Sequence, residues 1–590
     1  MVASDDTRKI SALSQRQNLG AALAIFAERR VLVMLALGFS AGLPFLLIFD
    51  TLSAWLRDDG LTLEVIGFFS LATLVYAFKF LWAPLVDRAS VPILTTFLGH
   101  RRSWMLVCQV IVMVGLWLIA TNDPNSTLGM MAALAILVGF AGATQDIAMD
   151  AWRIEVTETS KQGAMAAAYQ WGYRIALLVA GAVPLLLAEY YSWNFSYGVM
   201  SALMVVGMLA VFAAPREKEH SVRSIHVECA RVSPGVESFE WVVRFCLLVL
   251  GALFVGSGLA ANSDALAWVL ELAQLSRASN AVIAAWQSDY RVLFQLLSVV
   301  CGFAVITMSA LPIPGVRSRP GLYLSAALGD PFRDFFRRYR GTAVLILALI
   351  CFYRLSDFVL NIMNPFYLDL GFSLVEVAEV RKVFGAFLSV FGIFLGGLAV
   401  ARLGLIRAMV IGAFASPLSN IVFIWLAMRG HDLTALFVSI GIDNALSGFA
   451  GTCLIAYMSS LTGRGFTATQ YALFSSLYAL PGRLIASQSG RIVEGAASSA
   501  DAGGFFSMFN NLLSGIPPET YSGALEKSGV SPIALGSGYV SFFSYSVVIG
   551  IFAVVLAFIV AVRHEKMLDA GDSPELEVPL SGQGNRAKVS

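Results

Sequence analysis

Residues 129–152 read GMMAALAILVGFAGATQDIAMDAW. The run stays apolar for about four helical turns and then carries Gln145, Asp146 and Asp150. A helix sets the two acids on one face, one turn apart. Carboxylates are costly in hydrocarbon, so the setting of this run decides what they are for.

That setting is a membrane. The chain has 590 residues, of which 57% are hydrophobic and only 13% charged. Its mean hydropathy is +0.74. So little charge cannot cover a soluble surface, and apolar runs of about 20 residues recur throughout. The runs are continuous rather than alternating, which argues against a β-barrel. The expected fold class is an all-α polytopic membrane protein with about fourteen spans. They lie at about 31–56, 64–85, 104–121, 128–149, 163–188, 194–214, 241–261, 292–312, 342–366, 379–401, 407–428, 433–458, 466–489 and 539–562.

Loop charge orients the spans. With the N-terminus in the cytoplasm, about 27 Lys and Arg fall on the cytoplasmic side and about 6 outside. An even number of spans returns the C-terminus to the cytoplasm. The net charge of +1 carries no signal for a nucleic-acid partner. The six cysteines are scattered without a CxxC pair, and the five histidines fall in loops or tails. No metal-ligand spacing appears and no histidine sits in a span, so no cofactor and no enzymatic activity are expected.

The chain also repeats itself. Asp58-Asp59-Gly60-Leu61-Thr62-Leu63 follows the first span, and Asp369-Leu370-Gly371-Phe372-Ser373-Leu374 follows the ninth. Each leads into a span that ends in a similar loop, Pro84-Leu85-Val86-Asp87-Arg88 or Leu398-Ala399-Val400-Ala401-Arg402. Two parallel halves with a central site are a transporter signature. The expected parts are a cytoplasmic segment 1–30, a six-helix bundle 31–214 and a linker 215–341 with two extra spans. A second six-helix bundle over 342–562, with an external loop 490–538, and a cytoplasmic tail 563–590 complete the chain. Residues 327–341 set Phe332, Phe335 and Phe336 beside four arginines and predict an interfacial helix.

Five motifs then occur in order. They are Gly38-Phe39-Ser40-Ala41-Gly42-Leu43-Pro44, Lys79-Phe80-Leu81-Trp82-Ala83-Pro84-Leu85-Val86-Asp87-Arg88, Gln145-Asp146-Ile147 with Asp150-Ala151-Trp152, Gly172-Tyr173-Arg174, and Ala468-Thr469-Gln470. The ordered set resembles the AmpG-type muropeptide permeases of the major facilitator superfamily. The resemblance implies the major facilitator fold, two six-helix bundles, here with two additional helices between them. It implies a bacterial inner-membrane importer of GlcNAc–1,6-anhydroMurNAc and its peptides, from periplasm to cytoplasm, for peptidoglycan recycling. Proton symport and a link to β-lactamase induction come with it. The muropeptide, protons and the lipid bilayer are the expected partners, and a monomer the expected state. Two departures stand out: the extra pair lies between the halves, and Pro84 stands where the superfamily loop usually has glycine. Another large anion, such as an acyl-CoA or a peptide, is the competing cargo.

Ionisable residues within spans are the candidate site. At 1.5 Å per residue from Gly129, Asp146 lies roughly 25 Å along its helix and Asp150 roughly 31 Å. Asp150 therefore reaches the interface, level with Arg88, and Asp87, Arg88 and Asp150 form the expected gate. Asp87 would cap a neighbouring helix and Arg88 would pair with an acid on the fourth span. Asp146 needs a cation, for which Lys79 and Arg174 compete. Gln145, Asp146, Lys79, Gln170, Tyr173 and Arg174 are expected to line the substrate site from the first half. Arg354, Asp357, Asn361 and Asn364 are expected to line it from the second. Arg suits a carboxylate, Gln and Tyr suit amides and hydroxyls. Asp146, Asp357 and Asp50 are the candidates for proton coupling. Each group also has a plainer reading: a static ion pair, a packing bond or a solvated interfacial charge.

Overall fold

The structure is a computed structural model, which describes residues 24–48, 50–59, 76, 78–217, 234–260, 263–288, 290–311, 318–373, 376–377, 379–463, 465–486, 489–517 and 520–569. Every regular element among them is helical. The first half comprises α1 (Arg29–Leu47), α2 (Asp50–Asp58), α3 (Ala83–Arg88), α4 (His100–Ala120), α5 (Pro124–Glu155), α6 (Gln162–Tyr190) and α7 (Trp193–Ala213). The inserted segment supplies α8 (Pro234–Ala260), α9 (Arg291–Ala310) and α10 (Arg319–Arg338). The second half comprises α11 (Ala343–Phe352), α12 (Met363–Asp369), α13 (Gly385–Leu403), α14 (Leu405–Arg429), α15 (Leu433–Ser460), α16 (Thr467–Ala486), α17 (Ser489–Asp501) and α18 (Pro532–Asp569).

Among the described residues, ten helices are long and apolar enough to cross a membrane, or eleven if the bent pair α10–α11 is one span. The expected second span lies largely outside the described residues. The expected eighth is the shorter apolar helix Leu293–Ser309, and the thirteenth is α16. The full count of fourteen is therefore not reached on the described helices.

Small residues bring α1 and α6 together. The Gly38 and Gly42 of the first motif face α6 so tightly that a Cβ on Gly42 would sit 2.7 Å from the Tyr173 carbonyl oxygen. Gly172 receives the Leu35 carbonyl in return. Contact at backbone distance is how membrane helices associate without a hydrophobic drive. It fixes the rotation of α6 and so points Gln170 and Arg174 away from α1.

The ninth span is broken. After Phe352 the chain runs through Tyr353 and Arg354 into a 3-10 stretch, Leu355–Ile362, before α12. Irregular backbone at membrane depth survives only where protein covers it, and Tyr353, Leu355 and Ser356 are buried. His100, expected in a loop, opens α4 and is buried, its Nε2 2.7 Å from the Val86 carbonyl.

Candidate functional site

One end of the bundle gathers Arg88, Arg101, Arg153 and Arg338 and is called the arginine end below. Arg101 is wholly buried there. Its guanidinium donates to Asp87 at 2.6 Å and to Glu155 at 2.8 Å. Asp87 in turn accepts from three donors of the second half: the Ala468 N–H (3.2 Å), the Thr469 N–H (2.8 Å) and the Thr469 hydroxyl (2.6 Å). An acid thus caps the amide groups that begin α16 and have no partner within the helix. Beside it Ala468 and Ala472 are buried among Val86, Ile147 and Ala151 of the first half.

The expected pairing of Arg88 with Asp150 is not formed. Neighbouring helical side chains diverge by about 100°, so while Asp87 turns inward to α16, Arg88 turns toward α10. There it donates to the Ala326 carbonyl at 3.5 Å. Asp150 pairs instead with Lys79 at 3.8 Å and Arg153 at 3.4 Å. Arg153 is fully buried and lies over the Tyr471 ring of α16, 5.1 Å from its centroid.

Lys79 also settles the partner of Asp146. Its Nζ lies 3.8 Å from Asp146 Oδ2, the same distance as from Asp150. The two acids read as separate from their depths therefore share one cation. Asp146 Oδ1 is buried without a hydrogen-bond partner. Gln145 turns the other way and donates to Ser40 of the first motif at 2.8 Å. Gln109 donates to the same hydroxyl at 3.2 Å, so Gln145 bonds inside its own half.

Arg174 is not drawn to Asp146. It lies one turn beyond Gln170, whose amide donates across the halves to Thr452 at 2.6 Å. Arg174 is exposed, and the charged and phenolic groups within electrostatic reach are Tyr173 beside it and Arg354, Tyr478 and Asp443 of the second half. Trp171 donates to the Val390 carbonyl at 2.9 Å and stacks on Phe26 and Phe394, a packing role. Tyr169 and Tyr173 pack on each other.

In the second half Arg354 and Asp357 pair directly at the break in the ninth span. Arg354 further donates to Ser447 at 2.6 Å and Tyr478 at 3.2 Å, and Ser416 donates to Asp357 at 2.6 Å. Gly451 of α15 sits between the halves here: a Cβ on it would lie 3.2 Å from Gln170 Oε1 and 3.3 Å from Arg354 Nη1. The side chains of Asp50, Asn361 and Asn364 lie outside the described residues. Sequence reasoning passed over Arg101, Glu155, Arg153, Thr452, Ser447 and Tyr478. Only the Gly99-His100-Arg101-Arg102 loop carried a visible signal.

Comparison with known proteins bears on this arrangement. The family model described as Major Facilitator Superfamily matches residues 60–486. A putative transporter AmpG 4 of Rickettsia conorii is 28% identical over 472 residues, which cover 80% of this chain and 91% of the relative. The anhydromuropeptide permease of Escherichia coli K12 is 29% identical over 475 residues, covering 80% of this chain and 76% of the relative. Among solved structures, the proton:xylose symporter XylE bound to a bromodeoxyglucose aligns at a TM-score of 0.50 and 11% identity. The alignment covers 90% of this chain and 94% of that one. At that identity the likeness speaks for the fold alone.

Proposed function

The chain belongs to the Major Facilitator Superfamily, and from that premise we propose that it imports cell-wall degradation products, GlcNAc–1,6-anhydroMurNAc and its peptides, by proton-coupled alternating access. The observation that carries the reading is the set of polar side chains where the halves meet, Gln170 beside Thr452 and Gly451 with Arg354. Arg174, exposed and within electrostatic reach of Arg354, Tyr478 and Asp443, offers a fork for a substrate carboxylate. Gln170, Tyr173 and Tyr478 offer amide and hydroxyl partners for a sugar and a peptide. The curated relatives are named as AmpG transporters or as an anhydromuropeptide permease, which supports the same cargo.

Asp146, held loosely by a shared lysine, and Asp357, held by Arg354, are the groups able to take up a proton as the substrate enters. Asp87, Arg101, Asp150 and Arg153 form the gate: Asp87 and Arg153 touch α16 of the second half, Arg101 and Asp150 hold them from the first, and rocking can break these contacts without breaking the hydrogen bonds inside any helix. The positive-inside asymmetry assigns the arginine end to the cytoplasm. The halves then meet on the cytoplasmic side, as in a carrier awaiting periplasmic cargo.

The test is uptake of labelled GlcNAc–anhydroMurNAc into cells or right-side-out vesicles, with and without a protonophore. Uptake into the cytoplasmic compartment that collapses with the gradient is expected. No uptake by well-expressed protein sinks the cargo assignment; uptake indifferent to the protonophore sinks only the coupling. Asp146→Asn is expected to lower gradient-driven uptake by about tenfold or more, a barrier change of roughly 1.4 kcal/mol. Survival of both uptake and coupling in that variant makes Asp146 structural.

A further inference from the structure

Helix α10 has two faces with different work. It turns 108° from α11, so it runs across the bundle end rather than through the membrane. Its inner face is docked on the start of α16. Gln470 donates to the Pro331 carbonyl at 2.8 Å and to Asp334 at 3.1 Å. Arg338 donates back to Gln470 Oε1 and to the Leu461 carbonyl, both at 3.0 Å. Phe335 is buried against Phe474, with ring centroids 5.2 Å apart. Thus the start of α16, capped by Asp87 from the first half, is gripped on its next residue by α10.

The outer face is a stripe at helical spacing, Phe332, Arg333, Phe336 and Arg337, with Arg340 in the turn just past the helix end, all exposed. The two rings are 40% and 41% exposed. Arg333 and Arg337 are 76% and 70% exposed and only loosely paired, at 3.5 Å and 3.8 Å, with Asp330 and Asp334. Exposed pairs at such distances contribute little, so the face remains strongly basic. Apolar rings beside arginines, on a helix crossing the bundle end of a membrane protein, match the boundary between acyl chains and phosphates.

We propose that the outer face of α10 binds anionic phospholipid headgroups, the arginines taking the phosphate oxyanions and the two phenylalanines the acyl boundary, and that this binding holds the arginine end closed. The link is geometric: whatever keeps α10 at the membrane surface also keeps Gln470 docked, and linkage makes the effect reciprocal. The lipid contact rests on the membrane embedding alone; its consequence for transport rests on the alternating-access reading.

The experiment uses the full chain in nanodiscs of neutral phosphatidylcholine, or with about 30 mol % phosphatidylglycerol. Spin labels at Ser90→Cys and Leu403→Cys, after replacement of the native thiols, report the separation of the halves at the arginine end. The anionic lipid is expected to raise the ratio of closed to open populations by about fivefold. Combined Arg333→Gln, Arg337→Gln and Arg340→Gln should abolish the rise, with thermal unfolding in neutral lipid unchanged. The matching lysine substitutions should preserve most of it. A full response in the glutamine variant, or none in the parent protein, overturns the proposal. So does a response to inorganic phosphate in neutral lipid, or one that requires added soluble protein. None of these readouts involves cargo, so a failed uptake assay leaves the outcome separate.

Discussion

The two halves meet along two seams that the internal repeat makes equivalent, and the seams are built from opposite chemistry. At one, α3 of the first half meets the start of α16, and the contact is ionic: Asp87 caps Ala468 and Thr469 while Arg101 holds Asp87. At the other, α13 of the second half meets the start of α6, and Ala401 stands where the first half has Asp87. Here the contact is steric: a Cβ on Gly163 would lie 2.6 Å from Val400 Cβ and 2.9 Å from the Gly397 carbonyl. Phe26, Trp171 and Phe394 stack beside it. Elsewhere the halves agree. Asp58 accepts from Trp193 and Asp369 from Tyr539, both at 2.7 Å, each near the start of the last helix of its half. Both loops turn on a positive-φ glycine, Gly99 at 100° and Gly404 at 83°. The halves share these turns and struts, while the charges lie at one seam. A seam of ions and caps can be exchanged for water on opening; one of interlocked small residues can only slide or part.

The largest effect should fall on the ionic seam. Arg101→Ala leaves Asp87 and Glu155 together in a buried site without their cation, a change that typically costs about 3–5 kcal/mol. Thermal unfolding of the detergent-solubilised protein should show a fall of that order. Arg402, the exposed arginine of the second half's matching loop and the counterpart of Arg88, should tolerate alanine within about 0.5 kcal/mol. Equal losses at the two positions would break the comparison.

The steric seam should respond to volume rather than charge. Gly163→Val forces side chain into Val400 and the Gly397 carbonyl, and overpacking of this kind costs about 1–3 kcal/mol. It should widen the spin-label separation at the arginine end even at high salt. Asp87→Asn keeps an acceptor at the start of α16 but removes its charge, for an expected loss of about 1–2 kcal/mol. That variant should open the same end, by less. If the Gly163→Val opening itself depends on salt, the division into an ionic and a steric seam fails.

Helicity, the repeat and the superfamily were legible because each rests on periodicity or order along the chain. Arg354–Asp357 was legible for the same reason, being three residues apart. Partners distant in sequence were not. Lys79 and Arg174 were equal candidates for Asp146 until the Gly38, Gly42 and Gly172 contacts fixed how α6 is rotated. Arg101 could not be matched to Asp87 across a loop of unknown course, and depth along α5 separated two acids that a long lysine side chain spans. The break in the ninth span left no proline or glycine at Tyr353-Arg354 to announce it.

The smallest effect tests whether the asymmetry reaches the outer turn of the repeat. After Asp369 the second half carries Ser373 and Glu376, a reciprocal cap: the Glu376 carboxylate accepts from the Ser373 N–H at 2.7 Å and its hydroxyl at 2.8 Å, and the Glu376 N–H donates to Ser373 Oγ at 3.2 Å. These bonds hold the Glu376 carboxyl below its usual 4.5. The equivalent positions in the first half are Thr62 and Val65, a pair that has no carboxyl to titrate. A carboxyl with a lower pKa folded than unfolded stabilises the fold above the unfolded value, and the gain is lost as pH falls through the folded one. The unfolding temperatures of the parent and of Glu376→Ala should therefore differ at neutral pH and converge below about pH 4, while Val65→Ala should show no such convergence. A difference at Glu376 that persists unchanged into acid would mean the turn is held by packing, as in the steric seam, and the second half would carry no ionic device of its own at that turn.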